Sequence, residues 1–446
     1  MIEGMIGVKA TVPSGHRRAV LLDADLDART DQHSGDLLSL DIMSPSGGLH
    51  GSALQGLNVV VIGGGPAGLT FARIASANGA RVTVLEKAGD PRVKDLGYTN
   101  RSFNISLDRV GRYVLGGQEA WQGGLRVIGR AVHNYQDTGQ VKHTRYGTDP
   151  DYDLVNIPRP VLRQNMVNLA LQAGAAVRFE SQVTSLEPNK GEVTFTNDGT
   201  SQKLSADLVV VCDGLHSIAD ELIRAESGED YYLKPELRRI VSAMIYAEDN
   251  PNLSLNHIHL WYEHSSDSFV VGIPNRNGSV ALLMASPYAD ISRDTHPFAT
   301  PELANERFKR DFPQLFTLSP QIAKQLPKQP VYHFKYKAHA TFRVGRRGII
   351  VGDAACVMPP WANYGANSAM ASASSLAYHL IGRSGNTDAA LDIFQSQQRI
   401  LSRLLLNYAN DHGKFFSGPV IQSPEERSDP ALALLIKQAC DEARKS

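Results

Sequence analysis

Asn58-Val59-Val60-Val61-Ile62-Gly63-Gly64-Gly65-Pro66-Ala67-Gly68 is the stretch that decides the fold. Its first five residues form a short apolar run, the pattern of a central parallel strand covered on both faces. Gly63, Gly65 and Gly68 then fall at G-x-G-x-x-G spacing, and a helical pattern follows in Leu69, Phe71, Ala72, Ile74 and Ala75. A second strand, Val82-Thr83-Val84-Leu85, ends in Glu86, 18 residues beyond Gly68. This is one βαβ unit with the chemistry of a dinucleotide site. Gly63 permits a tight turn, Gly65 lets a pyrophosphate approach the backbone, and Gly68 allows close helix–strand packing. Glu86 is placed to accept hydrogen bonds from a ribose diol. The helix N-terminus adds N–H groups and the positive end of a dipole.

Working outward, Leu208-Val209-Val210-Val211 is a second parallel-strand candidate and ends in Cys212-Asp213-Gly214. A third, Gly348-Ile349-Ile350-Val351, ends in Gly352-Asp353. A carboxylate at that strand end suits the ribityl hydroxyls of a flavin, which separates FAD from NAD. Pro359-Pro360 and the Gly365-Ala366-Asn367 turn would then open a helix aimed at the isoalloxazine ring. Its dipole would stabilise negative charge at the N1/O2 edge. Pro360, Tyr364 and Gly365 are accordingly expected near the flavin face, with Gly365, Ala366 and Asn367 in contact with the cofactor.

Glu192-Val193-Thr194-Phe195-Thr196 and His257-Ile258-His259-Leu260-Trp261-Tyr262 alternate as half-solvated antiparallel strands do. The chain after Asp353 reads as mainly helical, with Leu401 to Tyr408 and Ala431 to Ala443 strongly periodic. The expected organisation is an extension over 1–55, in which Ala19 to Leu26 can pair as a strand. An FAD-binding domain follows from 57–125, 150–225 and 340–385, a substrate domain from 126–149 and 226–339, and a helical region over 386–446.

Bulk properties narrow the partners. The 446 residues are 42% hydrophobic and 20% charged, with a formal net charge of −1. Interspersed charge leaves no electrostatic footprint for nucleic acid. No apolar run approaches the roughly 18 residues of a membrane span. Cys212, Cys356 and Cys440 lie far apart, without disulfide or metal-ligand spacing, and the 14 histidines show no zinc pairing, so no metal is expected. The setting expected is cytoplasmic, and the partners small molecules.

Gly63 to Gly68, Cys212-Asp213-Gly214 and Gly352-Asp353 occur in an order and spacing that resembles class A flavoprotein aromatic hydroxylases. The resemblance implies an α/β, p-hydroxybenzoate hydroxylase-like fold: a discontinuous Rossmann-type FAD domain, an antiparallel-sheet substrate domain and a helical C-terminus. Within that class, Asn100 to Leu107, Gly129-Arg130-Ala131-Val132-His133, Arg145-Tyr146-Gly147 and Gly272-Ile273-Pro274-Asn275 are similar to the kynurenine 3-monooxygenase family. By that resemblance Arg101 and Arg159 would contact FAD, while Arg130, Tyr146 and Asn407 would bind a substrate α-carboxylate. A guanidinium offers a planar fork for a carboxylate, and a phenol one directed donor.

The implied activity is FAD-dependent monooxygenation with NADPH or NADH as reductant. One atom of O2 would enter a small aromatic substrate, kynurenine or a related aromatic (amino) acid, through a flavin C4a-hydroperoxide. Baeyer–Villiger or N-oxygenation by a specialised relative, and a non-catalytic flavin- or ligand-binding protein, remain alternatives. The chain departs from the family pattern at four places. Asn363-Tyr364-Gly365 stands for Gly-Gln-Gly, Ala371-Ser372 for Glu-Asp, Asp220 for an arginine, and Cys356 for a histidine.

Overall fold

The computed structural model describes residues 52–93, 104–133, 140–228, 232–246, 253–263, 268–287, 298–358, 360 and 363–415. The expected Ala19 to Leu26 strand, the Ala431 to Ala443 helix and Arg101 lie outside them.

The nucleotide sheet has six strands. β1 (Asn58–Ile62) lies between β2 (Arg81–Leu85) and β12 (Leu208–Val211); β8 (Ala176–Arg178) extends the sheet beyond β2, and β19 (Gly348–Ile350) and β18 (Arg343–Val344) extend it beyond β12. All neighbours are parallel except β18 and β19, a tight antiparallel hairpin in which Gly345 takes φ +57°. The buried apolar strands β1 and β12 occupy the middle, as their unbroken Val/Ile/Leu content requires. α1 (Pro66–Ala77) follows β1 and packs against α3 (Arg159–Gln172) and α8 (Gly365–Ile381).

Two small sheets flank this unit: β3 (Ile105–Leu107), β7 (Leu154–Ile157) and β4 (Leu125–Val127), and the meander β9 (Gln182–Glu187), β10 (Glu192–Asn197) and β11 (Thr200–Ser205).

The second large sheet has eight strands. Its order is β20 (Cys356–Val357), β17 (Tyr332–Ala338), β13 (Tyr232–Tyr246), β16 (Ser279–Pro287), β15 (Ser268–Pro274), β14 (His257–Glu263), β5 (Gly129–His133) and β6 (Val141–Arg145). Neighbours are antiparallel except β14 beside β5, where two distant pieces of chain join in parallel. On one face Val241, Trp261, Val270 and Leu282 form a core with Phe308 and Leu315 from α5 (Pro301–Asp311) and α6 (Pro313–Leu318). On the other, Val132, Ile258, Leu260 and Ile273 pack with Val127, Tyr146 and Leu154. The remaining helices are α2 (Arg109–Leu115), α4 (Asp220–Ser227), α7 (Ile322–Gln325) and the long α9 (Thr387–Phe415). None of the described helices is long and apolar enough to cross a membrane.

Candidate functional site

The glycine loop shows three different reasons for having no side chain. Gly63 has φ +103°, and a Cβ there would lie 2.4 Å from the Cys212 carbonyl oxygen. At Gly68 a Cβ would lie 2.0 Å from the Gly63 carbonyl oxygen, so close packing of helix on strand forbids it. At Gly65, the N-cap of α1, a Cβ would meet nothing within 4 Å. Among the described residues, packing therefore does not demand glycine at 65, which leaves the space open for close approach of a ligand. Pro66 follows at the first helical position, where its fixed φ suits helix initiation.

Glu86 is buried at the end of β2 and already braces this loop. Its Oε2 accepts from the Gly64 N–H at 2.7 Å and its Oε1 from the Ala88 N–H at 2.8 Å. Each carboxylate oxygen has a second lone pair, so ribose hydroxyls can still be accepted. Arg163 was not read from the sequence. Its Nε donates to the Gly64 carbonyl oxygen at 3.2 Å, and its Nη2 lies 3.2 Å from Glu86 Oε1. The available signal is spacing: Arg159 and Arg163 are four residues apart, on one face of α3.

The distant motifs converge here. Gly63 sits against Cys212 and Asp213, and Gly352, at φ +67°, approaches α1 so closely that its Cβ would lie 3.0 Å from that of Ala67. Asp213 Oδ2 accepts from the Ile218 N–H at 2.8 Å, while its Oδ1 is buried without a hydrogen-bond partner among the described residues. Asp353 is exposed, yet burial pushes its carboxyl above the ordinary range against the pull of Arg159 and Lys337. Arg159, exposed at the start of α3, is thus near enough to act on Asp353 across 194 residues of chain (353 − 159).

The loop before α8 explains one departure. Asn363 adopts φ +58°, the left-handed region that asparagine tolerates better than most residues. Its Nδ2 donates to the Ser106 carbonyl oxygen at 2.7 Å. Tyr364, the N-cap of α8, is buried, so its ring is part of the packing below the helix start. Pro360 is exposed. The Asn367 side chain is committed to protein: Nδ2 donates to the carbonyl oxygens of Ser106 and Asn363, both at 3.0 Å, and Oδ1 accepts from the Asp108 N–H at 3.3 Å. What the first turn of α8 can offer a ligand is therefore its backbone N–H groups at Gly365, Ala366 and Asn367.

Arg130 on β5 and Tyr146 just beyond β6 are brought together, the guanidinium lying 5.3 Å from the centre of the phenol ring. The Tyr262 hydroxyl is also close, its titration pushed up by burial and opposed by the Arg130 charge. Asn407 is exposed on α9, and the structure does not join it to this pair. An amide network that the sequence did not announce ties the α8 loop to this sheet. Ser106 Oγ donates to Asn156 Oδ1 at 2.5 Å, Asn156 Nδ2 to the Pro274 carbonyl oxygen at 3.4 Å, and Asn104 Nδ2 to Asn275 Oδ1.

The other departures also find partners. Ser372 Oγ donates to Gln398 Oε1 at 2.8 Å, replacing charge between α8 and α9 by a neutral bond. Asp220 pairs with Lys337 Nζ at 2.9 Å and His339 Nε2 at 3.0 Å. Burial pushes the Cys356 thiol up to about 12, which leaves it an unreactive thiol at neutral pH. Among the described residues no group of three His, Cys, Asp or Glu side chains is arranged to hold a metal ion.

A Rossmann-type sheet whose three strand-end motifs meet at one glycine loop, beside an eight-stranded sheet, defines a flavoprotein of the class A aromatic hydroxylase type. The chain belongs to the FAD binding domain family, whose model matches residues 56–399. Kynurenine 3-monooxygenase of Salinispora arenicola is 29% identical over 330 residues, 70% of this chain and 69% of the relative. The enzyme of the same name from Xanthomonas campestris pv. campestris is 27% identical over 344 residues, 74% and 73% of the two chains. Among solved structures, 2-methyl-3-hydroxypyridine-5-carboxylic acid oxygenase superposes with a TM-score of 0.66 at 20% identity, over 85% of this chain and 96% of that one. Pseudomonas aeruginosa PqsL in complex with 2-aminobenzoylacetate gives 0.63 at 18% identity, over 85% and 99%. The protein is an FAD-dependent monooxygenase of the aromatic hydroxylase class.

Proposed function

We propose that this enzyme takes electrons from NADPH or NADH and inserts one oxygen atom of O2 into a small aromatic acid, kynurenine or a related aromatic amino acid. The observation that carries this reading is the approach of the Arg130 guanidinium to the Tyr146 ring, beside Tyr262, at one edge of the eight-stranded sheet. A guanidinium offers a planar fork for a carboxylate, and a phenol one directed donor. Asn407 on α9 would be the third carboxylate ligand. Two features of similar proteins favour the same substrate class: the shared name of the two bacterial relatives, and a neighbour complexed with an aminobenzoyl carboxylate.

For the cofactor, Gly63, Gly65 and Gly68 with the start of α1 would take the pyrophosphate, and Glu86 the ribose. Asp353 would take the ribityl chain, Arg101 and Arg159 would add charge, and the first N–H groups of α8 would face the ring. Bound FAD supplies the activation of O2. The chain orients substrate against it, and the apolar face containing Val132, Ile258 and Leu260 keeps water away. Residues 57–125, 150–225 and 340–385 would act as the FAD domain, with 126–149 and 226–339 as the substrate domain, in a cytoplasmic protein.

The test is mass spectrometry of products formed from a panel of aromatic amino acids and acids, run with NADPH and with NADH. Substrate-stimulated oxidation of the nicotinamide, O2 uptake and a product 16 mass units heavier (one oxygen atom) are expected. Oxidation that no aromatic acid stimulates would remove the proposal and favour a binding role.

A further inference from the structure

Lys337 is a fully buried cation on β17, a strand that the proposed chemistry does not use. Its ammonium donates to Asp220 Oδ1 at 2.9 Å and Oδ2 at 3.2 Å, and to the Leu215 carbonyl oxygen at 2.8 Å. Leu215 directly follows Asp213-Gly214. β17 is also stitched to the other strand-end motif. Lys337 is opposite Val357, Ala338 opposite Cys356, and the His339 N–H donates to the Ala355 carbonyl oxygen at 3.0 Å. Residue 337 therefore joins the two motifs, its ammonium on the chain just after Asp213-Gly214 and its backbone beside the chain leaving Gly352-Asp353.

We propose that Lys337 is a positioning residue for FAD: its ammonium ties the Asp213–Leu215 loop to α4 and sets a fixed positive charge behind the carboxylates of Asp213 and Asp353. The inference rests on the reading that those two loops hold the cofactor. A buried ion pair is not needed for stability, since apolar replacements of similar volume often hold a fold equally well. What an apolar pair cannot do is act at a distance on other charges. Lys337 acts on Asp213, Asp353 and Cys356, lowering each against the dehydration that raises it. Asp220 itself is held low: burial raises it, and His339 and Lys337 outweigh that. Among the described residues, the groups that act with the ammonium include Asp220 from α4, His339 through Asp220, and Asp213, Asp353 and Cys356 from the two loops. The charge favours the ionised form of both loop carboxylates, the form that accepts from ligand hydroxyls.

Titration of apoprotein with FAD between pH 6 and 9, followed by flavin fluorescence, separates this role from simple neutralisation of Asp220. The doubly neutral Asp220→Asn/Lys337→Met protein should keep its fold by circular dichroism but bind FAD about tenfold or more weakly at pH 7. Its affinity should recover as pH rises, because carboxyls no longer pulled down ionise later. Lys337→Arg, which retains the cation, should stay near wild type across the range. Asp220→Asn alone, which retains the ammonium, should do the same. Wild-type affinity and pH profile in the double variant would overturn the proposal. Where the double variant is not recovered folded, the two single variants decide: loss of FAD in both would show that the intact pair matters and the charge does not. Failure of wild-type apoprotein to take up FAD at all would instead defeat the underlying assignment of the loops.

Discussion

Arg130 and Asp353 each present one charged group whose removal has a signed, separable outcome. The Arg130 guanidinium lies 5.3 Å from the centre of the Tyr146 ring, a cation–π contact that helps to orient it. Arg130→Met should raise KM for an acidic substrate roughly ten- to a hundredfold, the worth of charge-assisted hydrogen bonds at about 1.5–3 kcal/mol. FAD content should stay normal. Tyr146→Phe should shift KM in the same direction but less, since a neutral hydrogen bond contributes about 0.5–1.5 kcal/mol. Steady-state kinetics with the acid and its carboxamide check both, and equal turnover of the two compounds by wild type would dispose of a carboxylate site. Asp353→Ala acts on the other side of the site. It should weaken FAD by about 1.5–3 kcal/mol in a fluorescence titration, because a ribityl hydroxyl loses a charged acceptor.

Elements made of local pattern were legible in the sequence, and elements made of long-range contact were not. β1, the glycine turn, α1 and β2 could be read because each feature is set within a few residues: an apolar run, a positive φ, a helical period. The left-handed Asn363 was legible for the same reason. Glu86 was legible as an acid at a strand end, but its pairing with Arg163 depends on α3, which begins 73 residues later (159 − 86). Lys337 was hidden because Tyr336 beside it is also buried, so the strand shows no clean alternation to mark an inward lysine as unusual. The glycine turn itself gives a prediction at this scale. Gly68→Ala should lower the melting temperature of the apoprotein, because its Cβ would meet the Gly63 carbonyl oxygen. Gly65→Ala should leave that temperature unchanged yet weaken FAD, because only a ligand needs the space. If the two variants lose stability alike, Gly65 has a structural duty that the packing does not reveal.

Across the whole molecule, acid sensitivity should come from the eight-stranded sheet and not from the cofactor loops. His133 Nε2 lies 2.9 Å from His259 Nδ1, and His259 Nε2 lies 2.9 Å from the Ser254 carbonyl oxygen. The carbonyl can only accept, so His259 carries its proton on Nε2 and His133 donates to its Nδ1. His133 also stacks on Trp261 at 4.2 Å, in the core shared with α5 and α6. Burial, helped by the neighbouring histidines, lowers His133 to about 3 and His259 to about 4. Between the unfolded value of about 6.5 and those values, the unfolded chain binds protons that the folded chain refuses, so stability falls as pH falls. Each group adds a slope of up to about 1.4 kcal/mol per pH unit. Asp108 works in the opposite sense. Burial lifts its carboxyl to about 7, so the folded chain takes that proton first and gains stability in the same window. Comparing variant with wild type cancels Asp108. His133→Gln keeps a donor for His259 and removes one titrating ring, so it should be less stable than wild type at pH 8 yet lose stability less steeply from pH 6.5 to 4.5. Urea unfolding of FAD-saturated protein across that range measures both slopes. Equal slopes would mean that the sheet's histidines do not set the acid limit.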